Sequence, residues 1–266
     1  MVAGSVKTIT STANPVIKAA RALHMRKARA QSGLFLAEGQ KLLWDALSAG
    51  WQPHMMFALQ CDPDDPVQTL AAKVRAAGGD VIWTNRPVME KLARRDNPQT
   101  VMGVFEERYV PLSQLAGGTI VALEAPRDPG NVGTVIRTAD ALGASGVVLL
   151  GNFADPFGSD AVRATMGSLF HMPLCRTDLA GLQSHAASIG AAIIGTHLSA
   201  TTDVRTLAVS EPQILLMGTE QSGLSEAAAG AATRLVRIPM GGSADSLNLA
   251  IATAIALYQL RSPYLS

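Results

Sequence analysis

The stretch Ile214-Leu215-Leu216-Met217-Gly218-Thr219-Glu220-Gln221-Ser222-Gly223-Leu224 contains the pattern that decides the predicted fold. Its first four residues form a continuous apolar run, which is typical of a strand buried on both faces of a parallel sheet. The run ends at a polar loop in which two glycines bracket Glu220. Because glycine lets backbone approach a ligand closely, this segment predicts a strand followed by a binding loop.

Apolar runs of the same kind recur in the second part of the sequence, with helical stretches between them. From Val132 to Leu142, apolar residues repeat at the spacing of one helix face. Alternating strands and helices predict an α/β fold with a mostly parallel sheet. Such open sheets bind ligands at the carboxyl ends of their strands. The other predicted strands are 119–123, 146–150, 191–195 and 235–239.

The first part of the sequence predicts a smaller α/β domain. Strands are expected at 34–36, 55–59 and 81–83, with helices ending near Gly50 and over 67–77. A polar stretch before Pro111 and a glycine pair before residue 119 indicate a boundary. We therefore expect a domain at 1–108, a linker at 109–118 and a second domain at 119–266.

Charge is balanced over the whole chain but divided unevenly. The 22 basic and 21 acidic residues leave a net charge of +1, which excludes a chain-wide basic polymer-binder. Residues 1–108 hold 14 of the basic and 10 of the acidic residues, a net charge of +4, and the rest carry −3. No acidic residue precedes Glu38. This division favours an anionic partner for the first domain.

Several classes of protein are disfavoured by composition and motifs. Two cysteines far apart in sequence exclude a disulfide-stapled secreted scaffold. No signal peptide is evident, and the longest apolar stretch, Leu247–Leu260, is shorter than the roughly 20 residues of a membrane span, so we expect a cytoplasmic protein. No G-x-G-x-x-G, G-x-x-x-x-G-K-S/T or G-x-S-x-G motif occurs, and the histidines lack metal-ligand spacing. We therefore expect no metal.

Two further polar loops follow predicted strands. In the loop 124–133, Asn131 suits the N-cap of the next helix, and Arg137 lies two turns further, leaning back toward the loop. In the loop 238–248, Asp245 or Ser246 is expected to cap an apolar helix that must be buried. Asn248 would then lie in its first turn and need a hydrogen-bond partner.

Together the three loops resemble the signature motifs of the SpoU family of RNA ribose methyltransferases, part of the SPOUT class. A fourth segment, Val162–Phe170, is similar to the family's R-A-S-M-G-A-L-F and departs from it at Thr165 and Ser168. In the first domain, Phe35–Gly39 is similar to the family's F-x-x-E-G opening, and Asn97–Gln99 with Gly103 and Val104 to its closing strand. The three loop matches are Asn131–Ala139, Gly218–Leu224, and Ile238–Met240 with Ser246–Asn248.

The resemblance implies a C-terminal α/β trefoil-knot domain, S-adenosylmethionine as cofactor, and a homodimer with the active site at its interface. It implies that the first domain binds RNA through Lys18, Arg21, Arg26, Lys27 and Arg29, with Arg163 as a further contact, by salt-dependent attraction to phosphates. The implied cofactor-binding residues are Leu198, Gly218, Ile238, Met240 and Leu247. The implied catalytic residues are Arg137, Asn131, Glu220, Ser246 and Asn248.

The implied reaction is attack of a ribose 2′-hydroxyl on a sulfonium methyl group. Because arginine is a very weak base, Arg137 is expected to stabilise the oxygen electrostatically, directly or through a phosphate. Asn131 and Glu220 would orient Arg137 or the ribose, and Ser246 and Asn248 would position the reacting groups. Ribosomal RNA, in particular 23S rRNA, is the preferred substrate, and transfer RNA is the alternative. Two other classes of protein compete with this interpretation. One is an inactive RNA-binding protein of the same fold, and the other is a dehydrogenase that lacks the usual glycine fingerprint.

Overall fold

The computed structural model describes residues 3–208 and 210–265, which form two compact units. The first unit runs to Glu107 and also takes in Phe157–Phe170, and the second comprises Arg108–Pro156 and the chain from His171 onward. Each unit contains one β-sheet, and the predicted α/β class with a mostly parallel sheet is confirmed. Within the described residues, no helix has the length and apolar character needed to cross a membrane.

The secondary structure follows the alternation expected from the sequence. The strands are β1 (Val6–Ile9), β2 (Leu34–Glu38), β3 (Met55–Leu59), β4 (Asp80–Thr84), β5 (Val101–Glu106), β6 (Thr119–Glu124), β7 (Gly146–Leu150), β8 (Leu174–Thr177), β9 (Ala192–Thr196), β10 (Thr202–Asp203), β11 (Gln213–Met217) and β12 (Arg234–Arg237). The helices are α1 (Pro15–Ala22), α2 (Arg26–Ser32), α3 (Gln40–Ser48), α4 (Pro66–Ala76), α5 (Arg86–Ala93), α6 (Pro129–Ala141), α7 (Ser159–Thr165), α8 (Leu179–Ile189), α9 (Glu226–Ala231) and α10 (Leu249–Arg261).

The sheet of the first unit has the strand order β1-β4-β3-β5-β2. Only β5 runs against its neighbours, since it pairs antiparallel with both β3 and β2. Local capping defines where its helices begin. Asn14, Asp65 and Asn85 each accept a hydrogen bond from the first turn of α1, α4 and α5, and each of these helices has proline at its start.

The sheet of the second unit has the strand order β10-β12-β9-β11-β6-β7-β8, and all its pairings are parallel. Ile214 and Leu216 of β11 lie in one apolar cluster with Ile120 and Val148, while Leu215 is buried as well. Both faces of the central strands are therefore covered, which explains why their sequences lack polar alternation.

The two units differ from the predicted domain division at two places. Residues 109–118 were expected to form a linker, but the Val110 N–H donates to Leu174 O (2.8 Å) and Leu115 is buried in the second unit. Phe157–Phe170 groups with the first unit because aromatic packing holds it there: the Phe157 ring lies 4.9 Å from that of Phe35. Both differences arise from the burial of apolar side chains. The positions of proline and glycine, from which the boundary was predicted, carry no information about that burial.

The last helix departs from its predicted burial. The sequence predicts that α10 is buried all round, and this is wrong for one face. Ile251, Ile255 and Tyr258 are 51%, 41% and 57% exposed, although Ala256, Leu257 and Leu260 of the same helix are fully buried. Their spacing of four and three residues puts the exposed side chains on one stripe of the helix. The helix therefore presents an uncovered apolar face in the single chain.

Candidate active site

Three polar loops meet at the carboxyl end of the second sheet. They follow β6, β11 and β12, and β6 and β11 are direct neighbours in the sheet. A chain of hydrogen bonds joins one residue from each loop. Asn131 Nδ2 donates to Glu220 Oε1 at 3.1 Å, and Asn248 Nδ2 donates to Asn131 Oδ1 at 2.9 Å. The structure thus brings together three of the five predicted catalytic residues.

The chemistry of this chain fixes the orientation of both amides. A carboxylate only accepts hydrogen bonds, so the Asn131 atom facing Glu220 must be its NH2 group. The Asn131 oxygen then faces Asn248, whose own NH2 group must donate to it. This leaves Asn248 Oδ1 directed at α10, where it accepts from the N–H groups of Ala250 (2.9 Å) and Ile251 (3.3 Å). Each hydrogen bond along the chain therefore pairs a donor with an acceptor.

Glu220 is held as a carboxylate by its surroundings. Partial burial acts to raise its pKa, but hydrogen bonds from Asn131 and from backbone N–H groups outweigh that effect, and the pKa of Glu220 lies below its ordinary value. The backbone donors include Arg127 (3.2 Å to Oε2) and Asp128 (3.3 Å to Oε1). An ionised Glu220 is therefore a poor proton acceptor and a good anchor for the loop after β6.

Close backbone packing shapes the loop that carries Glu220. Thr219 and Gly223 exchange two backbone hydrogen bonds of 2.9 and 3.1 Å, which close the loop into a tight turn. A Cβ on Gly218 would lie 2.0 Å from the Gly223 carbonyl carbon, and Gly223 itself has φ +68°. Both positions therefore require glycine, one for space and one for its backbone conformation. The turn aims Glu220 back toward Asn131.

Both predicted helix caps are wrong in detail. Asp128, not Asn131, caps α6, because its Oδ1 accepts from the Asn131 N–H at 2.7 Å and Pro129 follows as the first helical residue. Asn248, not Asp245 or Ser246, caps α10. In each case the cap shifts by two or three residues, and the shift leaves the Asn131 side chain free to link the other two loops.

A cavity of about 360 Å³ lies beside these loops. Ser246 and Glu220 contribute to its wall, together with apolar side chains from β11 and α10. Within residues 3–208 and 210–265, no protein group accepts a hydrogen bond from the backbone N–H of Gly218, Ile238 or Leu247. A cavity with an apolar wall and open backbone donors suits a flat heterocycle with polar edges, such as adenine. All five predicted cofactor-binding residues line it: Leu198, Gly218, Ile238, Met240 and Leu247.

Arg137 is not part of this cavity. It is exposed on α6, and it lines a separate groove of about 730 Å³ together with Thr134, Ile255 and Tyr258. It lies six positions after Asn131, which corresponds to a rise of about 9 Å along the helix. The expected reach of Arg137 back to the loop mouth is therefore not observed within one chain.

The predicted RNA-binding residues of the first unit fall into two groups. Lys18, Arg26 and Lys27 are exposed and Arg21 is half-buried. Arg29 is only 4% exposed, and its guanidinium donates to the Leu23 carbonyl at 2.7 Å. Its prediction as a phosphate contact is therefore corrected, because a buried guanidinium that is already bound holds the chain together instead.

Arg163 lies on α7 in the first unit. Its side chain is 53% exposed, 4.0 Å from Glu38 and 3.5 Å from Asp160. Its guanidinium keeps exposed N–H donors, but two nearby carboxylates partly neutralise its positive charge. Its attraction for a phosphate is therefore weaker than that of Arg26 or Lys27.

Some residues of the site were missed by sequence reasoning. Arg127 donates to Gln221 Oε1 at 2.9 Å, which ties the loops after β6 and β11 a second time. Glu124, at the end of β6, accepts from the Ser225 N–H (2.8 Å) and hydroxyl (2.6 Å). The signal was their position at strand ends, where polar residues of neighbouring strands meet.

Comparison with known families covers both units. The family model described as the SpoU rRNA Methylase family matches residues 118–258. The model described as the MRM3-like substrate binding domain matches residues 14–103.

Similar proteins cover most of the chain. The 23S rRNA (guanosine(2553)-2′-O)-methyltransferase RlmP of Bacillus subtilis (strain 168) is 30% identical over 96% of this chain and 100% of its own length. A 23S rRNA (uridine(2479)-2′-O)-methyltransferase of Streptomyces viridochromogenes is 31% identical over 88% of this chain and 84% of its own.

A solved structure is also similar over its full length. The crystal structure of an AdoMet-bound rRNA methyltransferase from Sinorhizobium meliloti is 47% identical, covers 99% of this chain and 100% of that chain, and superposes with a TM-score of 0.92. The chain therefore belongs to the SpoU rRNA methylase family of S-adenosylmethionine-dependent RNA 2′-O-ribose methyltransferases, with a SPOUT fold and an N-terminal substrate-binding domain.

Proposed function

We propose that this protein methylates a ribose 2′-hydroxyl in 23S rRNA. The observation that carries the proposal is the hydrogen-bond chain Glu220–Asn131–Asn248, which joins the three motif loops beside the cavity. An inactive RNA-binding protein of this fold would have no need to retain all three matched side chains. The names of the two relatives, both 23S rRNA 2′-O-methyltransferases, support ribosomal RNA as the substrate.

The cavity of about 360 Å³ is the proposed cofactor site. Gly218, Ile238 and Leu247 offer backbone groups, while Leu198 and Met240 offer apolar side chains that are 67% and 40% exposed before a ligand covers them. When bound there, S-adenosylmethionine supplies an electrophilic methyl group on a positively charged sulfur. The apolar side chains of the cavity wall would exclude water from the reacting atoms.

Arg137 is proposed to stabilise the attacking oxygen. A free hydroxyl is a weak nucleophile, and a fixed positive charge lowers the energy of the negative charge that develops on its oxygen. The guanidinium stays protonated at any relevant pH, so it acts as a charge and as a hydrogen-bond donor. A ribose phosphate is a second group that this planar fork would hold well.

The hydrogen-bond chain is proposed to set the position of the reacting groups. Asn131 is held between Glu220 and Asn248, so the first turn of α6 is fixed against the start of α10. Glu220 is a positioning residue, because its lowered pKa and its several donors make it a poor base. Ser246 is exposed at the cavity wall, where its hydroxyl is available to a ligand or to the ribose.

The surface around Arg137 supports the proposal of a homodimer. Ile255 and Tyr258 are exposed on α10 and line the groove that holds Arg137. We propose that a second copy covers this apolar face and that its cavity receives Arg137. An active site shared by two chains would explain why Arg137 lies outside the cavity of its own chain.

A trefoil knot is supported by the strand order. β12 pairs with both β9 and β10, so a late strand lies between two strands that are consecutive in sequence. Residues 197–201, which connect β9 to β10, must therefore cross β12. After β12 the chain continues to α10, which packs against β6 and β11. We propose that this path threads the last segment through a loop, an exception to the rule against knots.

The first unit is the proposed RNA-binding part of the protein. Lys18, Arg21, Arg26 and Lys27 lie on α1 and α2 or at their ends, and Arg163 lies on α7. Sequence-independent attraction of these side chains to phosphates would hold the RNA while the second unit acts on one ribose. The proposed chemistry requires no metal, and the proposed substrate gives the protein a cytoplasmic location.

The experiment uses bulk RNA from a strain that lacks this gene and S-adenosylmethionine labelled in its methyl group. The wild type is expected to label ribose in 23S rRNA. Arg137→Ala should lose at least about 100-fold in rate, the order of effect of one charge-stabilising donor. Arg234→Ala, an exposed arginine on β12 outside the cavity and the groove, serves as the matched control. Label on a base would refute ribose methylation, and label confined to transfer RNA would refute the ribosomal substrate.

A further inference from the structure

Two side chains in the cavity wall have no role in the hydrogen-bond chain described above. His197 follows β9 and Arg237 ends β12, and both line the cavity. They are neighbours across the sheet, because β12 pairs with β9 at Val236 and Thr196 and the His197 N–H donates to Val236 O at 2.9 Å. Register therefore brings an imidazole and a guanidinium to the same edge of one cavity.

The tautomer of His197 follows from its partners. The Ser199 backbone N–H lies 3.2 Å from His197 Nδ1, and the Ser199 hydroxyl lies 2.8 Å from the same atom. A backbone N–H can only donate, so Nδ1 must be the acceptor and the proton of the neutral ring resides on Nε2. Within the described part of the chain, no protein atom accepts a hydrogen bond from Nε2. The ring thus offers one donor that the protein leaves open.

Arg237 is also without an acceptor. Among residues 3–208 and 210–265, no carboxylate or carbonyl accepts a hydrogen bond from its guanidinium. Asp203, its partner in the pairing of β10 with β12, is already engaged by Arg205, whose Nε lies 2.9 Å from Oδ2. Asp203 lies close enough to Arg237 to attract its charge, but the hydrogen bonds to its carboxylate come from Arg205. The N–H groups of Arg237 are therefore still available to a ligand.

We propose that His197 and Arg237 bind the carboxylate of the cofactor's amino-acid moiety, an inference that rests on the proposed function. Two open donors on one side of a cavity form an anion site, and an arginine fork matches carboxylate geometry. The acidic side chains of the cavity wall, Glu220 and Asp245, belong to other loops. The cavity therefore offers donors and acidic groups from different elements, as a ligand with both an ammonium and a carboxylate requires.

The experiment measures binding, so it does not depend on turnover. Calorimetry on the intact protein compares S-adenosylhomocysteine with its decarboxylated analogue, which keeps the amine and lacks only the carboxylate. For the wild type, the first ligand should bind more tightly. Arg237→Gln and His197→Asn should each weaken S-adenosylhomocysteine about tenfold or more, the effect of one hydrogen bond to a charged group. Binding of the decarboxylated analogue should change by less than about twofold.

Two further variants separate ligand contact from folding. His197→Gln places an amide N–H near the position of Nε2 and should restore binding that His197→Asn loses. His171→Gln, an exposed histidine that does not line the cavity, should match the wild type. Equal losses for both ligands, or no loss for either, would overturn the carboxylate assignment and leave the cofactor site intact. If the wild type bound neither ligand, the proposed function itself would fail together with this inference.

Discussion

Asn248 performs two tasks with two different atoms, and substitution separates them. Its Oδ1 caps α10, and its Nδ2 donates to Asn131. Asn248→Ala removes both, whereas Asn248→Asp keeps an acceptor for the cap and removes the donor. An N-cap contributes about 1 kcal/mol and a hydrogen bond about another 1 kcal/mol, so Asn248→Ala should lose about 2 kcal/mol of unfolding free energy. The melting temperature should fall by about 4–8 °C.

Asn248→Asp should differ from Asn248→Ala in stability but not in activity. A carboxylate at the start of α10 is favoured by the helix dipole by about 0.3–1 kcal/mol, which offsets part of the lost hydrogen bond. The same carboxylate faces the oxygen of Asn131, which cannot turn over without losing its bond to Glu220. Asn248→Asp should therefore fold nearly as stably as the wild type, within about 1 kcal/mol, and lose methyl transfer as Asn248→Ala does.

Thermal unfolding and methyl transfer to rRNA, measured on the same preparations, test both statements. Asn85 provides the matched control, since in the first unit its Oδ1 caps α5 at 3.1 Å and its Nδ2 donates to Thr10 O, also at 3.1 Å. Asn85→Ala should lose stability and keep activity per folded molecule. The reasoning would be refuted if Asn248→Asp kept wild-type activity, or if it lost as much stability as Asn248→Ala.

Three further outcomes are expected from the same structure. Lys27→Ala should weaken RNA binding and reduce its salt dependence in a filter-binding titration without changing stability. Arg29→Ala should instead lower the melting temperature, because the Leu23 carbonyl loses the hydrogen bond from Arg29. The reverse result would restore Arg29 as a phosphate contact. The pKa of Glu220 is lowered in the folded state, so its carboxylate stabilises the fold above its ordinary pKa of 4.5, and this stabilisation is lost as the pH falls through the folded value. The difference in unfolding free energy between the wild type and Glu220→Gln should therefore shrink below about pH 4.5. A difference that is independent of pH would contradict the lowered pKa. If the proposed homodimer forms through this face, the wild type should sediment as a dimer and Ile255→Asp as a monomer, and a monomeric wild type would refute the interface.

The sequence predicts the central strands of the second unit well because strands buried on both faces consist mainly of apolar residues. β6, β7, β9 and β11 are covered on both faces, so polar residues occur only at their ends and the apolar runs between them are easy to detect. β1 and β10 carry no such signal. Three of the four residues of β1 are exposed, and β10 is only two residues long, so neither has an apolar run to detect. Edge strands of this kind are set by pairing with a neighbour that is distant in sequence.

The sequence pointed to several residues that the structure brings together, but it did not predict their contacts. Resemblance of the loops identified Asn131, Glu220 and Asn248, and the sheet explains why they meet. The caps were misassigned because several residues in each loop can accept a hydrogen bond, and only packing selects one of them; an Asp-Pro pair at 128–129 was the available signal for α6. The burial of Arg29 could not be predicted, since nothing in a run of basic residues distinguishes a solvated guanidinium from one bound to a carbonyl.

The position of Arg137 leads to a test that needs no structure of the dimer. If Arg137 serves the cavity of a second copy, Arg137→Ala and Asn248→Asp damage different halves of each site, and mixed dimers rebuild one. In a dimer of one chain of each kind, the site with the intact hydrogen-bond chain receives Arg137 from the other chain, and the second site carries both defects. Random exchange of equal amounts makes half of the dimers mixed, so about a quarter of all sites should regain activity from two inactive proteins. If Arg137 instead acts within its own chain, every site keeps one defect, and mixing recovers nothing.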